Sequence, residues 1–196
     1  MTISKLKLKY SSLFFIPFIL MLGVFLCLGL TPFSKNSIHS GDFLSQYFPL
    51  YIGLHKMFWN GDFSGLFWSF EKSLGGAMPS VWGFNSLSPF TFLYVLFPIS
   101  SFHVISYIIP LIRFGVMGVV FGYFIEKKYQ AVSKRCWLAV GLCTSYALSG
   151  FIISQHYNPN FLDNLVYVPF IFLGIEDVVY GKRSIKLPVF LALSLI

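Results

Sequence analysis

Charge is the scarcest property of this 196-residue chain, which has only 7 Asp and Glu residues and is 11% charged in all. An ordinary soluble domain carries about 25% charged residues, so this chain has too few to cover a water-facing surface. With 56% hydrophobic residues and 20% aromatics, the bilayer must be most of its solvent. Cysteine is nearly absent too. Cys27 and Cys143 fall in apolar runs and Cys136 at the edge of one; no CxxC or Cys/His spacing suits a metal, and an external disulfide has no candidates. The four histidines (His39, His55, His103 and His156) contain no i, i+4 pair of the kind that holds a metal on a helix.

The net charge of +7 is informative by position, and it implies no nucleic-acid partner. Residues 13–30 form an uncharged run preceded by Lys5, Lys7 and Lys9. About 20 apolar residues span a bilayer core, and 17 suffice. A signal peptide shares the basic start, but the core here is too long and Thr31-Pro32-Phe33-Ser34-Lys35 offers no small-x-small cleavage site. Further spans are predicted at 102–125, 137–153 and 165–180, with a partial fifth over 187–196. The last is too short to cross, so the sequence is expected to be the N-terminal part of a longer protein. Basic residues near span ends mark the cytoplasmic side. An N-terminus inside places ten of the 14 Lys and Arg residues in the cytoplasm and leaves Lys35, Lys56 and Lys72 outside. The remaining cation, Arg113, falls within the second span.

The predicted fold is therefore all-α: a polytopic transmembrane helical bundle with one long outer loop, 31–101. That loop is rich in aromatics, unlike a disordered segment, and should fold against something. Within 43–60, Leu44, Tyr47, Phe48, Tyr51, Leu54 and Phe58 recur at steps of three and four, which predicts an amphipathic helix lying in the membrane interface. Asp42 stands at its N-cap position, and Asn60-Gly61 is a stop signal. Pro49 should kink this helix or split it into a short turn and a second helix. Gly75-Gly76 reads as a turn or as a backbone cradle for phosphate. Residues 89–97, bounded by prolines, read as a short re-entrant or interfacial helix.

Several motifs occur in a fixed order: Gly41-Asp42-Phe43-Leu44-Ser45-Gln46-Tyr47, Trp68-Ser69-Phe70, Leu74-Gly75-Gly76 and Leu87-Ser88-Pro89-Phe90. In that order they resemble the first outer loop of the bacterial YfhO membrane proteins. Tyr146-Ala147-Leu148-Ser149-Gly150, Asn158-Pro159-Asn160-Phe161-Leu162-Asp163 and Val168-Pro169-Phe170 continue the likeness. The family pattern has Trp where Phe161 stands, an exchange of one aromatic for another. The resemblance implies a GT-C type fold, with transfer of a sugar from a polyprenyl-phosphate carrier to an extracytoplasmic acceptor such as a lipoteichoic-acid-like cell-envelope polymer. It also implies that family members are several times longer than this chain. In GT-C enzymes an acidic residue of the first outer loop takes the acceptor's proton, and Asp42 is the matching position.

The chemistry fits such a residue, because attack of a hydroxyl on the sugar carbon needs a base while phosphate leaves unaided. A helix cap alone would also account for Asp42. Gln46 and Tyr47, one turn on, are candidate substrate-binding residues, as are His39, three residues before the acid, and His156 in the loop that precedes Asp163. Asp163 lies on the same outer side. It could bind substrate, share a divalent metal with Asp42, or cap the fourth span. Arg113 could reach outward to a lipid phosphate or form an ion pair within the bundle, since a bare cation at mid-membrane costs about 2.5–3.5 kcal/mol. The rival function is a non-enzymatic transporter or flippase of lipid-linked intermediates, which would need polar groups along a path at mid-depth; an inactive remnant is the third reading.

Overall fold

The computed structural model describes residues 3–34, 36, 38, 41–70, 74–86 and 88–195. The bundle is built from α1 (Ile3–Cys27), α5 (Phe102–Lys128), α7 (Cys136–Ala147), α9 (Pro159–Val179) and α10 (Lys186–Leu195). Short helices fill the connections: α2 (Phe48–Asn60), α3 (Pro79–Ser86), α4 (Phe92–Val95), α6 (Gln130–Lys134) and α8 (Gly150–Ser154). The protein is an all-α membrane protein. Three helical stretches are long and apolar enough to cross a bilayer: Tyr10–Cys27, Ile99–Lys128 and Cys136–Ser154.

The boundaries differ from the sequence expectation in instructive ways. α1 ends at Cys27, before residue 30, because Gly29 adopts a left-handed φ of 68° and the Leu30 N–H donates back to the Phe25 carbonyl. The third stretch is broken: Ser149 is extended, with ψ 152°, so α7 stops and α8 restarts at Gly150. α9 begins at Pro159, six residues before the expected 165, with Asn158 at its N-cap position and proline in its first turn. At 21 residues it has the length of a span, but Asn160, Asp163 and Asn164 make its first turns polar, and it is not one of the three apolar stretches.

α5 is the hub. Two thirds (67%) of its membrane-length window is buried, against 22% and 28% for the other two stretches, and it packs against α1, α7 and α9. The core follows: Met21 and Phe25 of α1, Leu111, Phe114 and Met117 of α5, and Leu162 and Val166 of α9 form one buried cluster. α1 approaches α5 closely because Gly115, Gly118 and Gly122 line the contact. A Cβ on Gly118 would fall 2.3 Å from the Leu13 carbonyl oxygen, and one on Gly115 would fall 2.6 Å from the Phe14 ring. Small residues that let backbones approach are how membrane helices associate without a hydrophobic driving force between them.

The outer loop folds back over the start of α5. A π-helical turn over Phe43–Tyr47 runs into α2, whose first turn holds Pro49. Phe43, Tyr47 and Tyr51, each four residues apart, pack with Tyr94 against Phe102, Ile105 and Ile109. The buried face is rotated from the expected one. Leu44 and Phe58 are exposed, whereas Phe43, His55 and Met57 are buried beside the expected Tyr47, Tyr51 and Leu54; the wide π turn shifts the register of the residues before Phe48, Leu44 among them. His55, a surface residue by default reading, stacks on Trp59 at 5.0 Å and meets Phe102 edge-on. Trp68-Ser69 and Gly76-Ala77 pair as a two-stranded antiparallel hairpin, Trp68 opposite Ala77. Gly76 opens the second strand, and Gly75 before it takes a φ of 112°, a conformation that favours glycine. The run at 89–97 is helical only over Phe92–Val95.

Gly118→Ala should therefore destabilise the protein by about 1–3 kcal/mol, the usual range for overpacking, because its methyl group meets backbone. Gly23→Ala, whose methyl would meet nothing within 4 Å, should leave the thermal midpoint in detergent unchanged or slightly raised; equal losses in the two variants would refute the close α1–α5 contact.

Candidate functional site

Asp42 does not cap a helix. Its backbone is already helical (φ −64°, ψ −24°) and its carboxylate makes no capping hydrogen bond. The carboxylate instead lies exposed and accepts from Gln46 Nε2 at 3.4 Å. Just before it, Gly41 takes a left-handed φ of 53°, and a Cβ there would sit 3.9 Å from the Tyr157 ring. The loop between α8 and α9 thus packs beside the acid. Asp42 and the His156–Tyr157 region come together in space although more than 110 residues separate them in sequence.

Behind this exposed acid lies a buried charge pair. Arg113 Nε donates to Asp163 Oδ1 at 2.6 Å and Nη2 donates to Oδ2 at 3.2 Å. Arg113 is 3% exposed and Asp163 4%. The bidentate fork suits the planar guanidinium. The Phe90 ring, from the Leu87-Ser88-Pro89-Phe90 motif, lies 4.9 Å from the guanidinium carbon, within the reach of a cation–π contact. Arg113 is thus engaged inside the bundle and is not extended toward the outer surface. Asp163 is no cap either, since it stands in the second turn of α9 with its oxygens facing α5.

Tyr47 links the two carboxylates. It is buried, and burial pushes its phenol pKa up; the negative charges of Asp42 and then Asp163 push it further, and Arg113 opposes them. The ring therefore lies within electrostatic reach of both the exposed acid and the buried pair, with its hydroxyl kept protonated as a donor. Tyr51 continues the column, its ring tilted against Tyr94 with centroids 4.6 Å apart. The Tyr94 hydroxyl bonds to Ser106 Oγ at 3.1 Å.

The remaining expected residues divide. His156 is half-buried, its Nδ1 lying 2.9 Å from the Ile153 carbonyl, which can only accept, and its ring standing edge-on to Tyr157. Gln46 lines a cleft described below. His39, Lys35, Lys72 and Leu87 lie outside the described residues. Among the described residues no three His, Cys, Asp or Glu side chains converge to hold a metal, and Asp163 has both oxygens on Arg113, so a divalent ion shared between Asp42 and Asp163 does not fit this arrangement. The Arg113–Asp163 pairing itself was missed from sequence, although signals existed. Asn158-Pro159 is a helix start, and counting from it sets Asp163 on the same face as Val166, Tyr167 and Phe170, the face that meets α5 and α10.

Compared with known proteins, residues 12–196 match the family model described as bacterial membrane protein YfhO. The chain belongs to that family. No curated protein and no solved structure matches it. The shared motifs now have physical roles: Phe90 covers the arginine, Asp163 pairs with it, and the Tyr146 hydroxyl ties α7 to the Leu165 carbonyl of α9 at 2.7 Å.

Removing one partner of a buried ion pair leaves an uncompensated charge, at a cost of about 3–5 kcal/mol. Asp163→Ala should lower the detergent-extracted yield and the thermal midpoint accordingly. The double variant Arg113→Met with Asp163→Leu should recover most of the loss; a double variant as damaged as the single one would show that more than charge pairing is at stake.

Proposed function

We propose that this member of the YfhO family is a membrane glycosyltransferase of the GT-C type. It moves a sugar from a polyprenyl-phosphate carrier to an extracytoplasmic cell-envelope acceptor, and its N-terminus is in the cytoplasm. The observation that carries the reading is Asp42: an exposed carboxylate with no capping duty, oriented by Gln46 and packed on an aromatic column. An acid that does no structural work and yet has a fixed place is what a general base requires. In the proposed step the acceptor hydroxyl oxygen attacks the anomeric carbon. The bond from that carbon to the phosphate oxygen breaks, polyprenyl monophosphate leaves with the electron pair, and Asp42 takes the hydroxyl proton. Binding of acceptor and lipid over Asp42 would exclude water from the carboxylate.

The orientation is supported by how the cations gather. Tyr10 of α1 bonds to Glu126 near the end of α5 at 2.8 Å, Lys128 pairs with Glu176, and Lys186 pairs with Asp177 at 2.8 Å. These contacts lie at the basic end of the bundle, which the positive-inside rule puts in the cytoplasm. A transporter is less well supported. Among the described residues Arg113 and Asp163 are the buried charges, and each neutralises the other, which leaves neither free to meet a charged cargo at mid-depth.

In the full-length protein, Asp42→Asn should abolish transfer from a polyprenyl-phosphate sugar, by at least about 100-fold given the usual weight of acid–base groups, while yield and thermal midpoint hold. Unchanged turnover would remove Asp42 from the mechanism. Separately, in a cysteine-free background, Asp42→Cys should react with an impermeant maleimide added outside cells, and Lys127→Cys should not. The reverse pattern would invert the protein.

A further inference from the structure

Beside α2 is a cleft of about 780 Å³, within the roughly 300–1,000 Å³ common for small-molecule sites. One wall is formed by Gln46 of the π turn and by Lys56 and Asn60 of α2. The others come from the turn at Asp62, the hairpin residue Phe70 and the α3 residue Trp82. The lining combines two aromatic rings, Phe70 and Trp82, with aliphatic side chains and short polar groups. Trp82 is buried, its Nε1 donating to the Gly65 carbonyl at 3.3 Å, so its ring is held rigidly. Phe70 is 78% exposed and presents its ring to the opening. Asp62 accepts from the Ser64 N–H at 3.0 Å, and that bond holds its carboxyl below the usual carboxylate range, so the group stays an ionised acceptor.

We propose that this cleft is the acceptor site and takes a polyhydroxylated chain of sugar or polyol units, with the hydroxyl to be modified presented to Asp42; the proposal rests on the transferase reading above. Such a chain has C–H faces that pack on aromatic rings and hydroxyls that both donate and accept. Asn60 and Gln46 each offer an amide donor and an amide acceptor, Asp62 an acceptor and Lys56 a donor. The link to the chemistry is Gln46. Its side chain lines the cleft and also donates to the Asp42 carboxylate, so the cleft reaches the residue that holds the acid. Among the described residues the cleft wall carries one cation, Lys56, against one anion, Asp62, so a neutral chain and a phosphate-linked chain meet the same hydroxyl-binding groups and differ at Lys56.

The test is a binding titration of the full-length protein in nanodiscs with no sugar donor present. The probes are a neutral hexose tetramer and a glycerol-phosphate tetramer. At least one should bind with a Kd at or below about 1 mM. Phe70→Ala and Asn60→Ala, both at exposed positions, should each weaken that binding about tenfold with no change in thermal midpoint. Lys56→Gln should weaken the phosphate-linked probe alone. Binding without turnover in the wild-type protein would sink the transferase reading and leave the cleft standing. Failure of both probes to bind, or Phe70→Ala and Asn60→Ala binding as wild type, would overturn the acceptor site.

Discussion

An arginine inside a helical bundle must find a counter-charge, and much of this molecule is arranged around meeting that demand. Arg113 sits on the buried face of α5, and only the second turn of α9 brings a carboxylate to it. The fork geometry leaves little freedom, since two parallel hydrogen bonds fix both the distance between α5 and α9 and their axial register. Phe90 then covers the guanidinium from the outer side, which attaches the outer loop to the pair as well. A buried ion pair is weak evidence for stability in itself. Its effect here is positional: three segments distant in sequence share one alignment.

The outer segment inherits that alignment. Phe43, Tyr47 and Tyr51 stand as a column on the start of α5, so the π turn that carries Asp42 is held from below by the same helix that holds Arg113. From above, Tyr157 packs against Gly41. The result is a division of labour between carboxylates that composition alone could not foresee. Asp163 is buried and neutralised, and it organises the bundle. Asp42 is exposed and lightly held, which leaves it open to a substrate.

How much of this was legible beforehand depended on the kind of signal. The spans were readable because runs of uncharged residues have one physical explanation in a chain so poor in charge. Arg113 stood out for the same reason, and its need for a partner followed from the cost of a buried cation. The partner did not, because the fourth span was begun at Leu165, where the apolar run starts, and not at Asn158-Pro159, where the helix starts. Hydropathy reports where lipid can be, whereas capping residues report where the backbone turns, and α9 is longer than its apolar part. The face of α2 was misread for a related reason. A period of 3.6 was assumed from Phe43 onward, but the first turn is wider, so Leu44 points outward. The Trp68–Ala77 hairpin was hidden because two paired residues per strand are too few for any periodicity to register.

That wider turn has a consequence for how the acid is aimed. A π turn amounts to one surplus residue accommodated within a helix. Excising a single position between Phe43 and Tyr47 would let the backbone relax to ordinary α geometry, with α2 and its packing untouched. Each residue of an α-helix advances about 100° around the axis, so the Asp42 carboxylate would swing by roughly that angle and lose its alignment with Gln46. The aim of the carboxylate is thus set by one inserted residue, and the membrane domain beneath it need not be rebuilt for that aim to change.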